Sequence, residues 1–440
     1  MKQFKGMSQF ERWMRGVVLL GAVGVGGSFA WNEVAAWQEP EKSQAASVPK
    51  SAKVVRVRQE MTLDPVLEPL VVAALSDDAK RVAAATDELR RGGQRSLDYV
   101  MTRTQSAKME QWKTLVDAVA QQRDARFSGL FWHTDLAAAQ EVAQREGKPI
   151  LSLRLLGNLT DELSCANSRF FRTTLYPHAA VRSTLATKYV LHWESVRAVP
   201  IITIDFGDGR SIKRTITGNS LHLVLDARGR TVDVLPGLYG AGFFARVLQQ
   251  SESVARKVAD LDDVHFKSEM VTFHMQQLRD QQTRWSDDWK QLGAVIIPKL
   301  GAELDDASWS NLAQKYQSEV AFDGMTMAAV QSKQTAEAAG PVAMAKMVTE
   351  TAPMRLLKNL VPVVGQDTVK NEYKMHRQLH QWLQEAGVID RDALVSRIYG
   401  ELFLSPLNDP WYGLSKPDVY SAVENDGRHN AVSTTQNARR

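Results

Sequence analysis

The stretch Lys148–Arg172, KPILSLRLLGNLTDELSCANSRFFR, decides how this chain is read. Ile150 to Leu156 is a mostly apolar run of strand length, the pattern of a strand covered on both faces. A polar loop, Gly157 to Leu163, follows it. CANSRFFR then reads as a helix start, with the only cysteine of the chain, Cys165, at its first position and Ser168 three residues on. Helix N-terminal amides stabilise a thiolate, so a strand-to-helix junction is where thiol chemistry would be placed.

The neighbouring segments extend the pattern in both directions. Before the stretch, Trp132 leads into DLAAAQEVAQREGKP, a helix ended by Gly147 and Pro149. After it, KYVLHWESV (188–196) reads as a second strand. PIITIDFGDGRSIKRTIT (200–217) reads as a hairpin inserted about Gly207-Asp208-Gly209. SLHLVLDARGRTVDVLPG (220–237) gives two more strands about the turn Asp226 to Gly229, and a helix starts near Gly242. This order predicts an α/β layered domain with a mixed sheet over residues 127–255.

The flanks are helical. Residues 61–126 carry apolar positions at helical spacing in VLEPLVVAALSDDAKRVAAATDELRR and again from Ser96 to Arg126. Gly92-Gly93 breaks them into a helical hairpin suited to scaffolding or docking. Residues 256–430 read as a helical region with polar runs, and 431–440 as a disordered tail. At the other end, Lys2, Lys5, Arg12 and Arg15 precede the apolar run Gly16 to Ala30. This is the pattern of a secretory signal peptide, or of an uncleaved anchor tethering the chain through residues 16–30. The linker-like composition of EPEKSQAASVPKSAK falls within residues 31–60. The expectation is an exported protein in a bacterial periplasm, or one anchored in the inner membrane and facing it.

Composition excludes several function classes. At 440 residues the chain exceeds one compact core. Its net charge of +4, from 54 basic and 50 acidic residues, is too small and too evenly spread to argue for nucleic acid. One cysteine excludes an intrachain disulfide, a Cys-rich zinc site and a self-contained dithiol mechanism. No P-loop, G-x-G-x-x-G, G-x-S-x-G or H-E-x-x-H occurs, so no cofactor is expected.

The segments Trp132, Gly147 to Ile150, Cys165-Ala166-Asn167-Ser168, Tyr189 to Trp193 and GNSLHLVLDARGR (218–230) together resemble the thioredoxin-like superfamily. The resemblance is to the branch of spermatogenesis-associated-protein-20-like and thioredoxin-domain proteins, and it covers about a quarter of the chain. It implies a central thioredoxin-like mixed sheet flanked by N- and C-terminal helical regions, with the redox-centre position at Cys165. The family pattern is Cys-x-x-Cys; here Ser168 holds the second position. Ser220 stands at the family's groove cis-proline position, where a trans bond is expected because cis peptides are essentially a proline phenomenon.

Three readings of function follow. In the first, Cys165 is a monothiol nucleophile hydrogen-bonded by Ser168. It would form mixed disulfides with a protein partner or glutathione without resolving them, as a thiol-disulfide oxidoreductase-like or thiol-dependent chaperone protein. Asp161 and Glu162 would oppose its thiolate. In the second, the thioredoxin-like unit is a non-catalytic binding or scaffold module whose cysteine is buried and structural. The third is a metal-dependent enzyme in the C-terminal helical region. There Glu372, His376 and His380, in NEYKMHRQLHQW, fall at four-residue spacing on one helical face. Two histidines at i and i+4 can share zinc, with further ligands from elsewhere; otherwise these residues form a solvated or partly buried face.

Overall fold

The computed structural model describes residues 63–103, 108–216, 218–320, 322–323, 326, 352–414 and 422–427. The expected signal or anchor (1–30), linker (31–60) and tail (431–440) lie outside the described residues.

The described residues begin with four short helices: α1 (Leu67–Ala74), α2 (Ala79–Arg91), α3 (Gly93–Thr102) and α4 (Met109–Ala120). Asp78 caps α2 by accepting from the amides of Lys80 and Arg81. The break falls at Gly92-Gly93 as expected, Gly93 having a left-handed φ of 61°. The stretch from Ser96 onward is two helices rather than one, so a four-helix element replaces the expected hairpin. Leu89, Leu97, Val100, Val116 and Val119 form its own apolar core, and the Trp112 indole closes it by donating to the Val100 carbonyl at 3.0 Å.

The α/β layer follows in the order α5 (Leu136–Glu146), β1 (Ile150–Leu156), α6 (Ala166–Phe170), α7 (Ala179–Lys188), β2 (Val190–Arg197), β3 (Ile201–Asp205), β4 (Ser211–Thr215), β5 (Ser220–Leu225), β6 (Thr231–Pro236) and α8 (Ala241–Val258). A π turn, Phe171–Leu175, continues α6. The main sheet has the order β2-β1-β5-β6. β1 and β2 are parallel, β5 is antiparallel to β1, and β6 is antiparallel to β5. The central strand β1 is buried at all seven positions, in accord with its unbroken apolar run. Ser152 sits opposite His192 in that pairing, with its hydroxyl 2.8 Å from Nδ1. β3 and β4 form a separate two-stranded hairpin.

The C-terminal region adds α9 (Asp263–Gln291), α10 (Asp306–Lys315), α11 (Ala352–Lys370), α12 (Arg377–Ala386) and α13 (Arg391–Arg397). A π segment, Asn371–His376, joins α11 to α12. Pro362 lies inside α11 and does not end it. One apolar cluster spans both regions, joining Leu151, Leu223 and Val234 of the sheet to Phe266, Trp285, Tyr373 and Leu383 of the helices. Among the described residues no helix is long and apolar enough to cross a membrane.

After α13 the chain lies over one end of the sheet. The Tyr399 hydroxyl donates to the Asn219 carbonyl at 3.2 Å, and the Tyr412 hydroxyl to that of Ala198 at 2.7 Å. The Arg197 guanidinium donates to the carbonyls of Leu407 and Asp409 at 2.9 and 2.8 Å, and stands over the Tyr412 ring at 3.4 Å.

Candidate functional site

Cys165 caps α6. Its Sγ accepts the Ser168 amide hydrogen at 3.4 Å, so the backbone, rather than the Ser168 hydroxyl, meets the thiol. That hydroxyl donates instead to Ser164 Oγ at 2.7 Å or to the Cys165 carbonyl at 2.8 Å. The Cys165 and Ser168 side chains are fully buried, each 0 % exposed. Burial, with a smaller contribution from the Cys165 thiol, pushes the Tyr176 and Tyr399 phenols well above their ordinary value.

The polar loop before Cys165 is fixed from one buried side chain. Arg172 makes an ion pair with Asp124, Nε to Oδ2 3.1 Å. The same guanidinium donates to the Asp161 carbonyl at 2.6 Å, the Glu162 carbonyl at 3.1 Å and Ser164 Oγ at 2.9 Å. The Glu162 carboxylate pairs with Arg123. The acidic loop is therefore tied down by arginines instead of facing the thiol freely.

Ser220 opens β5, buried and on a trans bond, with its hydroxyl lacking a partner. The segment leading into it lies against the start of α6: a Cβ built on Gly218 would stand 2.9 Å from Asn167 Oδ1 and 3.5 Å from the Ala166 Cβ. The structure thus brings the start of α6 and the approach to Ser220 together and covers the carbonyl of Asn219 with Tyr399.

The second grouping is the one anticipated only in part. Glu372, His376 and His380 share a face, but that face is fully buried rather than solvated. The missing neighbours come from the sheet and from α9. His376 stands between two carboxylates, Nδ1 2.9 Å from Glu372 Oε2 and Nε2 3.1 Å from Asp233 Oδ1. His380 Nδ1 is 4.0 Å from the same Asp233 oxygen. His274 Nδ1 is 3.0 Å from His380 Nδ1. Among the described residues, Asp233, His376 and His380 form a group whose ligand-type atoms all lie within 4.8 Å of one another.

The surroundings hold these groups in place. Asp233 Oδ2 accepts from the Ser251 hydroxyl at 2.7 Å, and Oδ1 from the Val234 amide at 2.8 Å. Glu372 Oε1 accepts from Arg284 at 2.6 Å and from Gln281 at 3.2 Å. Burial penalises the charge on Asp233, but His376 outweighs it and holds the carboxyl well below the usual range. Burial likewise opposes a charge on His376, yet Asp233 and Glu372 overcome it and raise the imidazole to about 10. His274 is pushed down to about 4 and His380 well below its ordinary value, both chiefly by burial.

Asp233 and His274 belong to no sequence motif, yet each carries a signal. Asp233 is a charge in the middle of TVDVLP, a strand buried at every position, where a carboxylate needs a partner. His274 lies on the buried stripe Phe266, Met270, His274, Gln277, Gln281, Trp285 of α9, polar groups on core positions. Neither grouping lines the cleft of about 550 Å³ beside Gln94, His133 and Arg145. Comparison with protein-family models, with curated proteins and with solved structures returns no match.

Proposed function

We propose that this chain is an exported, non-catalytic thioredoxin-like binding module that docks an apolar segment bearing carboxylates, supplied by a protein partner. The thioredoxin-like reading rests on the strand order β2-β1-β5-β6 with its directions, and on a cysteine capping the helix after the central strand. Export rests on the basic and apolar N-terminal pattern of the sequence.

The observation that carries the binding role is the β3–β4 hairpin. Ile204 pairs with Ile212 and Ile202 with Arg214, and cross-strand partners share a face. Alternation adds Phe206 to that face, with Arg210 over its ring at 5.7 Å. Ile204 is 47 % and Phe206 52 % exposed. A lone two-stranded hairpin is marginal in water, and an apolar face of this kind is stabilised when covered. Arg210 is paired with Asp208, whereas Arg214 makes no ion pair among the described residues and is left to meet a carboxylate on the occupant.

Catalysis through Cys165 would require the sulfur to reach solvent, and the residue is fully buried. The one feature favouring a monothiol centre is the amide hydrogen bond to Sγ, which would stabilise a thiolate after an opening motion. Selection from a displayed peptide library tests the binding reading. The expected result is an acidic, apolar consensus whose affinity falls at least tenfold with Ile204→Ser or Phe206→Ser. Peptides that bind equally well to these variants, or rapid native labelling of Cys165 coupled to disulfide reduction, would overturn it.

A further inference from the structure

We propose that Asp233, His274, His376 and His380 form a closed binding site for one divalent transition-metal ion of the zinc class, which clamps β6 to α9 and α12. An ion network alone explains part of the grouping. Asp233, His376, Glu372 and Arg284 pair in a chain and balance one another's charge. It does not explain the other two imidazoles. His274 and His380 are buried with Nδ1 facing Nδ1 at 3.0 Å, beside a carboxylate oxygen 4.0 Å from His380. The two rings share one hydrogen bond, and the Nε2 of each has no partner. Burying two imidazoles for a single mutual bond is costly compared with an apolar pair. The nitrogens of His380 and of a third histidine, His376, lie with an Asp233 oxygen within 4.8 Å of one another, and His274 Nδ1 stands 3.0 Å from His380 Nδ1; three imidazoles and a carboxylate are a donor set that a zinc-class ion takes.

Of the three histidines, His376 has the outer support that a metal-binding histidine ordinarily has. The ring nitrogen of His376 turned away from Asp233 is hydrogen-bonded to Glu372, which Arg284 and Gln281 fix in turn. Such a carboxylate behind a ligating histidine sets its tautomer and orientation. The second oxygen of Asp233 is held by Ser251. His376 belongs to a π segment, a local widening of the helix that recurs at functional sites. All four groups are buried, so the ion would be structural and out of reach of substrate, unlike the metal-dependent enzyme considered from the sequence.

The test uses the full-length, untagged protein purified without chelator. Elemental analysis should find close to one equivalent of zinc or a neighbouring metal. Cobalt(II) added to stripped protein should give the intense visible bands of a four-coordinate site, displaced stoichiometrically by zinc. His274→Ala and His380→Ala should abolish those bands, while the exposed His265→Ala should not. Glu372→Gln, a change in a positioning residue, should weaken metal affinity about 10- to 100-fold without removing the bands. If the alanine variants do not fold, the wild-type cobalt spectrum and the Glu372→Gln titration still decide. Wild-type protein that is metal-free as purified, gives no such bands and melts at the same temperature with zinc or chelator would overturn the site. So would bands that survive in folded His380→Ala protein.

Discussion

Replacing Arg172 by methionine should unseal Cys165. The methionine keeps much of the side-chain volume but removes the guanidinium that pairs with Asp124 and holds the carbonyls of Asp161 and Glu162 and the Ser164 hydroxyl. Both charges are almost wholly buried, at 1 % and 3 % side-chain exposure. Removing one partner of such a pair costs about 3–5 kcal/mol, because the remaining charge keeps its desolvation penalty. If that loss falls on the loop preceding Cys165, the opening equilibrium rises by roughly two to four decades, at ~1.4 kcal/mol per decade. The assay is the rate of thiol labelling by an aromatic disulfide reagent, compared between native and urea-denatured protein. Wild-type Cys165 should react at least about a thousandfold more slowly when native, the factor given by a local opening of ~4 kcal/mol. Arg172→Met should recover most of that factor while retaining the far-UV spectrum of a folded chain. Adding Asp124→Asn should restore part of the protection, since the uncompensated charge is then removed. Native wild-type labelling at the free-thiol rate, or a folded Arg172→Met protein no faster than wild type, would refute the reasoning.

Acid should destabilise the protein before its carboxylates titrate. Burial holds His192 and His222 down to about 3, so both stay neutral in the folded state while the unfolded chain takes up protons below its ordinary pKa of ~6.5. Their contribution is intact above that value and is lost as pH falls, at up to about 1.4 kcal/mol per unit for each histidine. Urea melts between pH 7.5 and 5 should show this slope, shallower in His222→Leu; a flat profile contradicts it. Tyr373→Phe should cost about 1–2 kcal/mol, because its hydroxyl donates to the buried Asp288 carboxylate at 2.6 Å. A melting temperature equal to that of wild type would count against that bond. Ile204→Ser and Phe206→Ser should change stability by no more than about 0.5 kcal/mol, as exposed positions do. A clear loss in either melt would mean the hairpin face packs against the chain itself.

The strands of the α/β layer and its helices other than α7, which the sequence reading did not separate from the Cys165 helix, were legible because their signals are local. Ile150 to Leu156 is a buried run, Gly207-Asp208-Gly209 and Asp226 to Gly229 are turn chemistry, and Gly147 stops α5 with a φ of 62°. Local pattern failed where a helix boundary depends on packing. The stretch from Ser96 onward has one continuous amphipathic period yet divides into α3 and α4, and Pro362 is carried inside a helix.

The sequence by itself determined that a thiol caps the helix after the central strand, and that Glu372, His376 and His380 share a helical face. It could not say whether either group meets water, because exposure depends on what distant segments lay over it. Arg172 fixes Ser164, the residue before Cys165, from the residues after it, and Tyr399 holds the Asn219 carbonyl from far along the chain. Asp233 reaches His376 across 143 positions and His380 reaches His274 across 106. Those meetings are made by the packing of α9 and α12 on β6, whose energy lies in non-local apolar contacts rather than in any pattern along the chain.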